Sequence, residues 1–117
     1  MKTLILIVLG TILISCSDGL SRLPEPNKLI SKEQMVVVMK DMIKLESHIQ
    51  LRYKNVAEYH KTMINSGDSL LQAHNVTRKM FDESIDYYGS RQEEMQDIYG
   101  EILDDLTKEL AELQSQK

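Results

Sequence analysis

The chain has 117 residues, 14 basic against 18 acidic, a net charge of −4, one cysteine, two prolines and no tryptophan. That length suits one small domain with a single core. The acidic balance excludes a nucleic-acid binder working through a basic surface. A lone cysteine excludes an internal disulfide, so the fold must rest on packing.

The N-terminus has the build of an export signal. Lys2 precedes the apolar run Leu4–Ile14, and Leu13-Ile14-Ser15-Cys16 follows at its end. A secretory signal needs a charged start, an apolar stretch of roughly 7–15 residues and a small residue at the cut. A spanning helix needs roughly 20 apolar residues, more than this run supplies before Ser17-Asp18-Gly19. Leu13-Ile14-Ser15-Cys16 resembles the lipobox of bacterial lipoproteins. That resemblance implies cleavage between Ser15 and Cys16, diacylglycerol on the Cys16 sulfur and acylation of the new amine with a fatty acid such as palmitate. Two or three acyl chains hold a protein stably on a bilayer. Ser17 follows the cysteine, and Asp18 comes one residue later, away from the usual position of an inner-membrane retention signal. The expected location is therefore the cell envelope, at the periplasmic face of the outer membrane.

Three regions follow from this: residues 1–15 as signal peptide, 16–29 as lipidated cysteine and flexible tether, and 30–117 as a helical domain. Pro24 and Pro26 both lie in the tether, which leaves the domain free of helix breakers. Ser31-Lys32-Glu33-Gln34 fits a capping box, and Ile30 with Met35 fits the hydrophobic staple beside it. Met35, Met42, Ile49, Val56 and Met63 recur every seven residues, which predicts one long amphipathic helix to Ile64, interrupted on its stripe by Arg52. Asn65-Ser66-Gly67 is expected to end it. Asp68 would then cap a short helix over Ser69–Ala73, and Asn75 would stop it in a left-handed turn. Thr77 caps a second short helix with Val76 and Phe81 as its staple, and Gly89 ends it. Ser90-Arg91-Gln92-Glu93 reads as a capping box for the last helix. That helix carries Met95, Ile98, Tyr99, Ile102, Leu103, Leu106, Leu110 and Leu113 on one stripe. No stretch alternates at period two. The expected fold is all-α: a long N-terminal amphipathic helix packed against two short helices and a long C-terminal helix.

Charge is unevenly spread. Lys32–Ile64 holds six basic and four acidic residues, whereas Asp82–Glu112 holds eleven acidic residues against Arg91 and Lys108. Opposite signs on two segments predict that they pack together, or that the acidic one faces a basic partner. Glu94, Asp97, Glu101 and Asp105 are spaced at three and four and form an acidic ridge. Its plainer role is a solvated face; its functional role is docking. Met35, Met39 and Met42 lie on or beside the first helix's stripe. Core packing is the simpler expectation for them, but methionines also line adaptable binding surfaces.

Little in the sequence points to chemistry. His48, His60 and His74 stand outside any metal-binding spacing, although Asp41 and His48 could share a helix face. No Gly-x-Ser-x-Gly elbow and no phosphate-binding glycine loop is present. Neither a cofactor, a metal nor a small-molecule substrate is expected, and the chain is not expected to be an enzyme.

Several stretches together resemble a known family. They are Met35-Val36-Val37-Val38-Met39-Lys40-Asp41-Met42, His74-Asn75-Val76-Thr77 and Phe81-Asp82-Glu83-Ser84-Ile85-Asp86-Tyr87-Tyr88, with Met95-Gln96-Asp97-Ile98-Tyr99 near the end. The family is one of small lipoproteins of Bacteroidetes-type bacteria, catalogued as a domain of unknown function. The resemblance implies an all-helical envelope protein and assigns no catalytic residue. Residues Leu70–Leu106 are also similar to the N-terminal domains of SurA-type periplasmic chaperones. The resulting expectation is a non-enzymatic, membrane-anchored interaction module. Its partners would be the bilayer, through acylated Cys16, and another envelope protein, through Met35, Met39, Met42 or the ridge of Glu94, Asp97, Glu101 and Asp105. The alternative is a chaperone-like module holding unfolded envelope clients.

Overall fold

A computed structural model describes residues 21–116. The signal peptide and Cys16 lie outside the described residues. Four helices follow one another: α1 (Lys32–Arg52), α2 (Val56–Ala73), α3 (Arg78–Gly89) and α4 (Gln92–Ser115). No strand occurs among the described residues. The fold is all-α. Each helix packs on the next, and α4 closes the ring against α1.

Local capping sets most of the boundaries. The Ser31 hydroxyl accepts from the Gln34 amide at 3.2 Å, opening α1. Ile30 and Met35 beside it are both buried, as a staple requires. The Gln34 side chain, expected to reach back to the cap, instead donates to the His74 carbonyl at 3.0 Å and ties α1 to the end of α2. Asn75 adopts φ 57°, the left-handed conformation expected of it. The Val76 amide reaches the Leu71 carbonyl and the Asn75 amide that of Gln72, with Leu71 and Val76 both buried, so α2 closes in a Schellman motif. Thr77 then caps α3 through the Met80 amide.

Three local expectations are overturned. The long first helix does not reach Ile64: it stops at Arg52, and Asn55 opens α2 by accepting from the Ala57 amide. Val56, placed by the seven-residue repeat on the buried stripe, is 81% exposed at this corner. Folding back lets α2 cover α1, which a continuous rod would leave bare on one side. The Tyr59 hydroxyl donates to Glu46 across the corner. Asn65-Ser66-Gly67 does not end a helix either. The Ser69 hydroxyl donates to the Asn65 carbonyl within α2, and Asp68 pairs with Arg78 instead of capping. Gly67 is buried beside Met42 and Arg78. Finally, Ser90 does not cap α4. Its hydroxyl donates to the Tyr87 carbonyl, and the residue before α4, Arg91, makes no side-chain cap.

Helix directions follow from the side-chain contacts. Tyr59 meets Glu46 and His74 meets Asp41, so α1 and α2 are antiparallel. Lys32 meets Asp97 and Lys40 meets Asp105, so α1 and α4 run parallel. The core between the helices gathers Met35, Val38, Met39, Leu71, Tyr88, Ile98 and Ile102.

The segment before α1 lies along α3. The Leu23 amide donates to Ser90, and the Leu23 carbonyl accepts from Arg91. Arg91 also stacks over the Tyr87 ring at 3.6 Å. Seven residues on, the buried Ile30 amide donates to Ser84 at 3.1 Å, and the Ile30 carbonyl accepts from Tyr88 at 2.7 Å. The part of the expected tether from Leu23 onward is thus fastened to the domain.

Candidate functional site

The last helix carries two contrasting flanks, both set by the 3.6-residue period. One is the acidic ridge. It faces α1, where Lys32 lies 3.4 Å from Asp97 and 3.9 Å from Glu94. Lys40 lies 2.8 Å from Asp105 and 3.4 Å from Glu109, and Lys44 also pairs with Glu109. The hydrogen bond to Asp105 raises the Lys40 pKa against the opposing effect of burial. The same bond lowers that of Asp105, and Lys44 lowers that of Glu109. The charge segregation of the sequence therefore joins two helices of one domain. Among the proposed docking acids, Glu94, Asp97 and Asp105 are engaged in this way, while Glu101 is exposed.

The other flank is apolar and open. Tyr99 is 52% exposed, Leu103 65%, Leu110 56% and Leu113 63%, while Ile98 and Ile102 on the inner face are buried. Sequence periodicity put all of these on one stripe, but the core is too narrow to cover its full width. This surface was therefore not singled out from the sequence. What could have separated it is the row of residues at alternating spacings of four and three.

The proposed methionine surface is mostly interior. Met35 and Met39 are buried in the core. Met42 is half-buried and lines a groove of about 370 Å³ with Tyr59, His60, Met63, Ile64, Gly67 and Arg78.

The titratable groups are placed as structural ties. Asp41 meets His74, not His48: the His74 Nε2–H donates to Asp41 at 2.9 Å. His48 and His60 are exposed. Among the described residues, no group of three His, Cys, Asp or Glu side chains is arranged to hold a metal ion. From the sequence, Tyr88 belongs with Phe81 and Ile85 on the apolar edge of α3, and Ser84 has no evident role. The structure gives them one, as the partners of both backbone groups of Ile30.

Residues 26–112 match the family described as a domain of unknown function (DUF4296). The chain belongs to this family. The match begins within the segment fastened along α3 and runs to Glu112 in α4. No curated protein matches the chain, and no solved structure does.

Proposed function

We propose that this member of the family is a lipid-anchored envelope protein, held through acylated Cys16 at the periplasmic face of the outer membrane, and that it works by binding protein. The observation that carries the reading is the open apolar flank of α4. Single exposed leucines are ordinary on a protein surface, whereas a contiguous apolar strip is a mark of an interaction site. In support of a lipid anchor, the one cysteine of the sequence closes the lipobox-like run Leu13-Ile14-Ser15-Cys16.

Two measurements test the two halves. Cys16→Ala should move the protein out of the membrane fraction; a processed variant that stays there rejects the anchor. Leu103→Glu with Leu110→Glu should abolish cross-linking of the chain to protein, a second copy included, in intact cells. Unchanged cross-linking rejects the binding flank.

The groove beside Met42 favours a second reading, a chaperone-like hold on unfolded envelope clients. Two methionines and Ile64 give it an adaptable apolar lining. The purified protein in excess should then suppress aggregation of an unfolded β-barrel protein, and Ile64→Glu should weaken that suppression. No suppression by the unmodified protein rejects the reading.

A further inference from the structure

The apolar flank of α4 has a pattern that selects its occupant. Tyr99, Leu103, Leu106, Leu110 and Leu113 step by four, three, four and three residues, so they form one row on the helix. All but the half-buried Leu106 are more than half exposed. The row is nearly symmetric about Leu106, with Tyr99 and Leu113 at its ends and Leu103 and Leu110 between.

Electrostatics point the same way. Gly100, Thr107 and Gln114 run beside the row and carry no charge. A Cβ placed on Gly100 would meet nothing within 4 Å, so there is room for another helix to approach closely. The ridge of acids lies on the other flank, where Lys32, Lys40 and Lys44 pair with Glu94, Asp97, Asp105 and Glu109. Two α4 helices meeting through the uncharged flank would keep these four paired acids away from the contact. A charged partner would be desolvated against this strip with nothing to pair with.

We propose that this flank is covered by α4 of a second copy of the chain, turned end for end about a twofold axis at Leu106. The proposal rests on the flank being a protein-binding surface and names its partner. A twofold interface must be self-complementary, and a row symmetric about one residue meets that demand. Leu106 packs on the partner's Leu106, Leu103 on the partner's Leu110, and Tyr99 on the partner's Leu113.

Cysteine cross-linking of the full chain in intact producing cells tests this directly. With Leu106→Cys, oxidation should convert the chain to a dimer on a non-reducing gel, while the unsubstituted chain gives no such band. Tyr99→Cys alone should stay monomeric, because the two copies of position 99 lie roughly 20 Å apart along the helices. Tyr99→Cys and Leu113→Cys made in the same cells should form the mixed dimer. Leu103→Glu with Leu110→Glu should lower chemically cross-linked dimer roughly tenfold or more. Leu103→Lys with Leu110→Glu should restore it, because the pairing sets opposite charges against each other. A Tyr99→Cys band as strong as that of Leu106→Cys overturns the end-for-end axis. If the unsubstituted chain is monomeric, while Leu103→Glu with Leu110→Glu abolishes cross-linking to a different protein, the second copy is wrong and the protein-binding reading stands. If that double variant changes neither readout, both fall.

Discussion

The Tyr88 hydroxyl donates a 2.7 Å hydrogen bond to the buried carbonyl of Ile30, fifty-eight residues away in the chain. One turn earlier on α3, Ser84 accepts from the Ile30 amide. Both backbone polar groups of buried Ile30 are thus satisfied by side chains spaced i and i+4 on one helix. This fixes how the chain enters α1, because Ile30 precedes the Ser31 cap and packs on Met35 as its staple.

Tyr88→Phe should therefore cost about 1–3 kcal/mol, the range for leaving one buried group without a partner. Phenylalanine keeps the ring, so packing is preserved and the loss is that of the hydrogen bond. Ser84→Ala should fall in the same range through the Ile30 amide. Thermal or denaturant unfolding checks both. Two variants as stable as the parent would show that water reaches Ile30 and that the clamp is dispensable.

Gly67 gives a prediction of opposite sign. It sits inside α2 without a positive φ. An added Cβ would lie 3.4 Å from the Arg78 guanidinium and 3.7 Å from Met42 Sδ, which is ordinary contact. Gly67→Ala should stabilise the domain by about 0.5–1 kcal/mol through helix propensity. Gly67→Leu should destabilise it by wedging Met42 and Arg78 away from α2. A lower melting temperature for Gly67→Ala would mean that the contact with Arg78 cannot relax.

At Asn75 the backbone itself is the constraint. With φ 57°, a β-branched side chain is strained there, so Asn75→Val should cost about 1–2 kcal/mol. Asn75→Gly should be nearly neutral, because glycine takes this conformation freely. Unfolding curves that put the two variants at equal stability would reject the Schellman stop as a determinant of the α2–α3 turn.

These examples show which parts of the fold could be read from the sequence. Ser31, Asn75 and Thr77 act through bonds to residues three or four positions away, so their neighbours in sequence suffice to place them. The Tyr53–Asn55 corner has no glycine or proline. It forms because α1 gains more by being covered by α2 than by extending, a tertiary gain invisible to a local reading. Gly67 misled for the mirror reason: a residue that often stops helices is retained inside one where α2 passes close to Met42 and Arg78. Ser90 looked like a cap, but its hydroxyl is held by Tyr87 and Leu23. In the candidate site, segregated charge gave the meeting of α1 with the acidic helix. The width of the core, which decides that Ile102 is buried and Leu103 open, depends on three helices at once.

The ion pairs between α1 and α4 give a pH dependence whose sign can be worked out. Lys40 holds the Asp105 carboxyl below its usual range, and Lys44, with Lys40, does the same for Glu109. Around pH 4, where free carboxylates titrate, the unfolded chain therefore binds more protons at these positions than the folded one. Their contribution is present at neutral pH and is lost as pH falls through the lowered folded values. Lys40 mirrors this: its pKa is raised, so its contribution is complete below the usual lysine range and fades as pH climbs past about 10.4. Lys40→Met keeps the side-chain stem packed and removes the charge that both acids share. Its melting temperature should fall less steeply than the parent's between about pH 6 and about pH 3, and added salt should narrow the difference. Parallel acid limbs for the two proteins would show that α1 and α4 hold together by packing alone.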